Sequence, residues 1–178
     1  MQLYYASASP FVRKVMVTLH ETGQLDDVEL VPASGTPLDA TDMPTAHNPL
    51  GKLPALTRPD GPAIYDSRVI CRYLDARAKA GLYPDRTLWE TLTIEATADW
   101  VNGQWGKTSR ALDVLPTRWM SHLATPPDMG HIAIGCALGY LDFRHDDRNW
   151  RKGRNTLDDW FATFAERPSM KATRPVAI

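Results

Sequence analysis

The sequence predicts an α/β half followed by an all-α half, and three observations predict it. Strand-like and helix-like runs alternate up to about Ala80, and strand-like runs cease beyond that point. The apolar stretch from Ile132 to Phe143 is too long for a strand and too short to span a bilayer. With 178 residues, 43% of them hydrophobic and 23% charged, the chain can bury a core in one large domain or two small ones.

The elements follow in order. Gln2 to Tyr5 is an apolar-aromatic run suited to a buried strand. Ala6-Ser7-Ala8-Ser9 leads into Pro10, after which Phe11, Val12, Val15, Met16 and Leu19 recur at helical spacing. Ser9 suits the N-cap, Pro10 the first helical position, and Gly23 the C-terminal end. Val28 to Val31 alternates as a strand does, and a right-handed crossover places it parallel to the first.

Pro32 to Asn48, rich in Pro, Gly, Thr and Asp, reads as irregular. Leu53 to Thr57 and Ala63 to Tyr65 read as two strands joined by Arg58-Pro59-Asp60-Gly61-Pro62, where Asp-Gly signals a turn. Asp66-Ser67 opens a helix whose apolar face holds Val69, Ile70, Tyr73 and Leu74, and Gly81 to Asp85 reads as a linker. The expected division is therefore an α/β domain over 1–78 and an all-helical domain over 85–178.

In the second half, Leu88, Trp89, Leu92 and Ala96 begin one helix, and Ala111, Leu112, Val114 and Leu115 lie in another. The Ile132 to Phe143 run predicts a helix buried on most sides. Asp128 caps it, with His131 at the third helical position, where an imidazole weakens a capping box. Leu157, Trp160, Phe161 and Phe164 form the apolar face of a last helix, stopped by Pro168.

Charge and composition bear on function. A net charge of −1 provides no global field for nucleic acid or an acidic membrane. The start lacks a charged segment ahead of an apolar one, and no run approaches spanning length, so neither a secretory leader nor a membrane partner is expected. Cys71 and Cys136, far apart and within apolar helical runs, read as inert thiols, and the reducing cytoplasm is the expected compartment. His20, His47, His122, His131 and His145 show no metal-ligand spacing, so no metal is expected. Arg148, Arg151, Lys152 and Arg154 around Trp150 read as a solvated loop rather than a nucleic-acid site.

The element order and four strings together resemble the glutathione transferase superfamily, in its cytosolic, bacterial-like form. Asn48-Pro49-Leu50-Gly51-Lys52-Leu53-Pro54-Ala55-Leu56 is similar to the segment carrying that family's cis-proline. Ile64-Tyr65-Asp66-Ser67 with Ile70-Cys71-Arg72-Tyr73-Leu74 is similar to its acid-serine turn and third helix. Ser9 to Lys14 resembles the active-site start of its first helix, and Ala133 to Arg144 the buried helix of its second domain. One departure stands out. Glu95 to Asp99 resembles the middle of the family's fourth helix, yet it runs directly into Trp100 to Trp105, which resembles the start of the fifth. A segment between Asp99 and Trp100 is expected to be absent, in the region that helps line the electrophile pocket.

The resemblance implies a thioredoxin-like N-terminal domain, an all-α C-terminal domain, and glutathione as co-substrate without a metal. A free thiol has a pKa of about 8.5, and each unit of depression needed near neutral pH costs about 1.4 kcal/mol. Ser9, at the cap of the first helix, is implied as the group that stabilises the thiolate, with Tyr5 as rival donor; read without the family, Ser9 is a plain cap and Tyr5 a core aromatic. Leu53, before a cis-Pro54, is implied to offer its main chain to the cysteinyl unit, and Lys52 to reach the glycyl carboxylate. Asp66 and Ser67 are implied to hold the γ-glutamyl ammonium and carboxylate, a role compatible with capping their own helix; Asp99, reaching the same ammonium across a dimer, is the weaker idea. A small hydrophobic electrophile and a homodimer complete the implied picture. The alternative is a catalytically silent binding or regulatory protein of the same fold.

Overall fold

The computed structural model describes residues 1–34, 42–101 and 105–176, with 98–101, 105–107, 110 and 111 described by main chain alone. The chain forms two compact units, one of Met1–Ala80 together with Pro175–Ile178 and the other of Gly81–Arg174.

The first unit is built on a four-stranded sheet in the order β2-β1-β3-β4, with β1 Gln2–Tyr5, β2 Glu29–Pro32, β3 Ala55–Arg58 and β4 Gly61–Ile64. β1 and β2 run parallel, and β3 and β4 are antiparallel additions. Leu3 stands opposite Leu30 on one side and Leu56 on the other, and Leu3 and Leu56 are completely buried, so the sheet's centre is apolar. The two prolines inside strands, Pro32 and Pro62, fall in the edge strands β2 and β4, where a missing N–H is tolerated.

Two 12-residue helices, α1 Pro10–Glu21 and α2 Ser67–Ala78, pack on each other beside this sheet. Thr18 Oγ1 lies 3.4 Å from Cys71 Sγ in their buried seam. Near their C-terminal ends, Gln24 Nε2 donates to the Leu74 carbonyl at 2.9 Å, and Arg77 donates to Gln24 Oε1 at 2.6 Å. Arg13 is only 6% exposed, and Lys14 beside it 2%. Both lie within the helix's packed face, where their long stems substitute for apolar side chains.

The second unit is helical: α3 Leu88–Val101, α4 Trp105–Arg118, α5 Met120–Leu123, α6 Met129–Arg144, α7 Asn155–Phe164 and α8 Pro168–Ala172. The Asp99–Trp100 junction lies inside α3, whose main chain continues unbroken through it. Pro168 opens α8 rather than ending α7, which finishes at Phe164; proline fits a first helical position because the N–H it lacks has no partner there.

α6 is the core of this unit, with Ile132, Ile134, Leu138 and Leu141 nearly inaccessible. Gly135 allows its close approach to α7, since a Cβ there would stand 2.7 Å from the Phe164 ring. Asp128 caps α6 by accepting from Gly130 N–H at 2.8 Å and His131 N–H at 3.2 Å. The imidazole of His131 completes the capping box that the sequence reading expected to be weakened, its Nδ1 lying 3.2 Å from the Asp128 N–H. Burial opposes ionisation of the Asp128 carboxyl, but its hydrogen bond to His131 and the field of His131 and His122 hold it down at about 2.

Of the basic run around Trp150, Arg148 and Lys152 are exposed on a turn as expected, whereas Arg151 and Arg154 are held by carboxylates. Arg151 grips Asp142 with two nitrogens, at 2.6 and 2.8 Å, and donates to Asp158 at 2.8 Å. The buried Trp150 donates its indole N–H to Asp142 at 2.7 Å, and Arg154 reaches Asp113 at 2.6 Å. These arginines tie the turn after α6 to α4 and α7. No helix among the described residues is long and apolar enough to cross a membrane.

Candidate functional site

Strand directions bring the expected site residues to one end of the sheet. β1 ends at Tyr5, and its antiparallel register with β3 pairs Tyr4 with Ala55, which puts Pro54 level with Tyr5. β4 pairs Ile64 with Leu56, so the chain returns through Tyr65 and Asp66 to the same end as Leu53 and Pro54. α1 and α2 both start there, one after β1 and the other after β4. Two helix N-termini, with their unpaired N–H groups and positive dipole ends, therefore serve one edge, and that favours anions.

Ser9 caps α1 in an extended conformation, its Oγ accepting from Val12 N–H at 3.3 Å. A hydroxyl that accepts in this way keeps its own hydrogen to donate elsewhere. Its main-chain N–H is tied back to the Ala6 carbonyl at 3.0 Å, which folds the segment between strand and helix into a tight turn.

Tyr5, the rival, ends β1 and lines a cleft of about 580 Å³ with Tyr4, Ser7, Val31, Ser34 and Asp42 among its neighbours. Ser9, Lys52, Leu53, Asp66 and Ser67 are not among the residues that line that cleft.

The Leu53–Pro54 peptide is cis. Pro54 is buried and Leu53 half-buried. Behind them stands a residue to which the sequence reading gave no role. Asn48 is 2% exposed, accepts from Leu50 N–H at 3.0 Å, and donates from Nδ2 to the Lys52 carbonyl at 2.7 Å. Gly51, at φ +56°, supplies the left-handed turn that lets the chain fold back over Asn48. The signal was present as Asn-Pro-Leu-Gly, a turn sequence with its own hydrogen-bonding side chain.

Asp66 caps α2 by accepting from Arg68 N–H at 2.8 Å, and its carboxylate is 56% exposed. Ser67 behind it is 2% exposed, part of the wall rather than of the surface. The Tyr65–Asp66 peptide is also cis, a feature for which the sequence held no signal. The Asp99 side chain lies outside the described residues.

A mixed four-stranded sheet of this order, with helix N-termini and a cis-proline loop at one end, followed by an all-helical unit, defines the fold of the glutathione transferases. Residues 8–77 match the family model described as the glutathione S-transferase N-terminal domain, and residues 98–163 match that of the C-terminal domain. The chain belongs to the glutathione S-transferase family.

It is 40% identical to a glutathione transferase family member from Pseudomonas fluorescens Pf-5 solved with bound glutathione, with a TM-score of 0.94 over 99% of each chain. A glutathione S-transferase from Methylobacillus flagellatus KT, also solved with glutathione, is 31% identical, with a TM-score of 0.86 over 98% of this chain and 99% of the other. The uncharacterized GST-like protein YibF of Escherichia coli strain K12 is 30% identical over 98% of both chains. That alignment runs to 203 positions against the 178 residues present here, so the relative carries residues without a counterpart in this chain.

Proposed function

We propose that this protein is a glutathione transferase that stabilises the glutathione thiolate at the start of α1 for attack on a small hydrophobic electrophile. The observation that carries this reading is the convergence at one sheet end of the Ser9 cap, the cis Leu53–Pro54 peptide and the Asp66–Ser67 start of α2. Bound glutathione in two solved relatives at 31–40% identity supports the choice of ligand.

In this reading the Ser9 hydroxyl donates to sulfur while the α1 N-terminus adds positive potential. The main chain of Leu53 pairs with the cysteinyl unit in the manner of an added strand, and Lys52 meets the glycyl carboxylate. Asp66, exposed and anionic, takes the γ-glutamyl ammonium, and the N–H groups opening α2 take its carboxylate. The protein contributes thiolate stabilisation and proximity, with no covalent enzyme intermediate. The compartment proposed is the cytoplasm.

The assembly proposed is a homodimer. Support comes from one face of α3, where Trp89, 76% exposed, borders a shallow groove of about 420 Å³ with Leu92, Thr93, Ala96 and Thr97. A second copy covering this stripe would remove a large apolar ring from water. Trp89→Asp is expected to shift the mass measured by light scattering from dimer to monomer, and an unchanged mass removes this face from the interface.

The alternative of a glutathione binder without turnover is favoured by the shortfall in length against YibF and by the expected missing segment after Asp99, part of the electrophile wall in the resemblance. Retention on immobilised glutathione, a thiolate absorbance titration of the complex, and conjugation assays with small aryl and alkyl electrophiles separate the readings. Binding with a depressed thiol pKa and turnover supports the enzyme. Binding without turnover supports the alternative, and failure to bind at millimolar glutathione defeats the enzyme and leaves the silent binding or regulatory protein of the same fold.

A further inference from the structure

We infer that the cleft beside Tyr5 takes the body of the electrophile, and that Asp42 makes it prefer an aromatic electrophile bearing an ammonium group over one bearing a carboxylate. This selectivity rests on the glutathione-transferase reading above, to which it adds a substrate class.

The cleft stands where two parallel strands end together, with Tyr4 opposite Val31 and Tyr5 opposite Pro32. Beyond the last pair the Ala33 N–H donates to the Tyr5 carbonyl at 2.9 Å, so the two flanks are tied to each other. Crevices outside the carboxyl ends of parallel strands recur as ligand sites. The volume of about 580 Å³ suits a substituted aromatic ring. Tyr4 is backed by His47, their ring centroids 5.1 Å apart and tilted by 33°, which helps to hold one wall in place. The same wall leads to the proposed chemistry. Ala6 lines the cleft, and its carbonyl accepts the Ser9 N–H at 3.0 Å, so one tight turn joins the cleft to the residue proposed to stabilise sulfur.

Charge decides what the ring can carry. Asp42, which is exposed, is the only charged side chain among the described residues that line the cleft. No lysine or arginine occurs from Met1 to Val12 or from Val28 to Ala46, the two stretches that supply all of the described lining. In the proposed binding mode the carboxylates of glutathione go to Lys52 and to the start of α2, and neither lines this cleft. The hydroxyls of Tyr4, Tyr5, Ser7 and Ser34 do not set a preference, because each can donate or accept. Asp42 does: it attracts an ammonium and repels a carboxylate, and specificity is the difference between the two. Its exposure limits each effect to a factor of a few, and the two factors multiply.

The test is calorimetric binding of three S-benzylglutathione conjugates to the full chain, alike except for a para aminomethyl, hydroxymethyl or carboxymethyl group. A finished conjugate binds without turnover, and glutathione alone reports on the anchoring groups separately. The expected order of affinity is ammonium, hydroxyl, carboxylate. The first and last should differ by about fivefold to tenfold at low ionic strength, narrowing at about 0.5 M salt. Asp42→Asn should bring all three within about twofold, and Asp42→Lys should reverse the order, with the Kd of glutathione alone unchanged in both. Circular dichroism checks that these exposed substitutions leave the fold intact. A wild type that binds the carboxylate as tightly as the ammonium, or an order that survives Asp42→Lys, overturns the selectivity. So does a set of conjugates that binds no tighter than glutathione. In each of these cases glutathione binding persists and the parent reading stands, whereas a chain that binds no glutathione loses both.

Discussion

Asn48 Nδ2 donates to the carbonyl of Lys52 at 2.7 Å while its Oδ1 accepts from Leu50 N–H, so one buried amide spans the loop that delivers Leu53 and the cis-proline. Its side chain acts on main-chain positions rather than on any ligand, which makes it a positioning residue for the proposed site. Asn48→Ala leaves the Lys52 carbonyl without this donor, a loss of about 1–3 kcal/mol in stability. Glutathione affinity is expected to fall several-fold while the thiol pKa of the residual complex stays at the wild-type value. Calorimetric binding with a thiolate titration checks both, and unchanged affinity would detach the loop from the site.

Ser9→Ala removes the hydroxyl proposed to donate to sulfur, together with a long cap bond to Val12 N–H. The bound thiol pKa should rise toward the free value of about 8.5, so activity at neutral pH falls and recovers partly as pH rises. Loss of the cap costs about 0.5–2 kcal/mol of stability. Affinity for glutathione should change little, because the anchoring groups lie elsewhere.

Tyr5→Phe separates the rival donor. Tyr5 lines the cleft beside β2, and Ser9 does not, so the thiol pKa is expected to be unmoved by this substitution. A rise as large as that of Ser9→Ala would transfer the role to the phenol.

Gly135→Ala tests the α6–α7 contact. The added methyl would stand 2.7 Å from ring carbons of Phe164, well inside van der Waals contact, and overpacking of this kind costs about 1–3 kcal/mol. Phe164→Leu in the same chain should recover part of the loss, read from chemical denaturation as a non-additive double-mutant cycle. Simple additivity would show that the two residues are not coupled.

Asp142→Ala removes the carboxylate that receives both the indole N–H of Trp150 and two nitrogens of Arg151. Arg151 is raised further above its already high pKa, first by its hydrogen bonds to Asp142, and stays charged at all accessible pH. Both ion-pair partners are about one-third exposed, which screens the charge interaction, so the cost should come mainly from the buried indole and be about 1–2 kcal/mol. Moderate salt is then expected to shift the wild-type melting temperature very little.

The parts of the molecule legible in the sequence are those set by short-range chemistry. β1, α1, α2, α6 and α7 were readable from periodicity, and the Ser9, Asp66 and Asp128 caps from residue types whose side chains reach only two or three positions along the chain. Pro168 shows the limit of such reading, since the same residue that ends one helix can open the next. The resemblance carried the rest of the fold, because four ordered strings constrain topology more strongly than any one of them.

By itself the sequence determined the strand and helix order of the first half and the caps of α1, α2 and α6, since each depends on neighbours a few residues away. Only the tertiary structure decided that Arg13 and Lys14 are buried, that Arg151 joins Asp142 and Asp158, and that Thr91 and His122 meet the second carboxylate oxygen of Asp128. Burial and pairing of a charged side chain depend on what another helix places opposite it. Spacing along one helix carries no record of that partner.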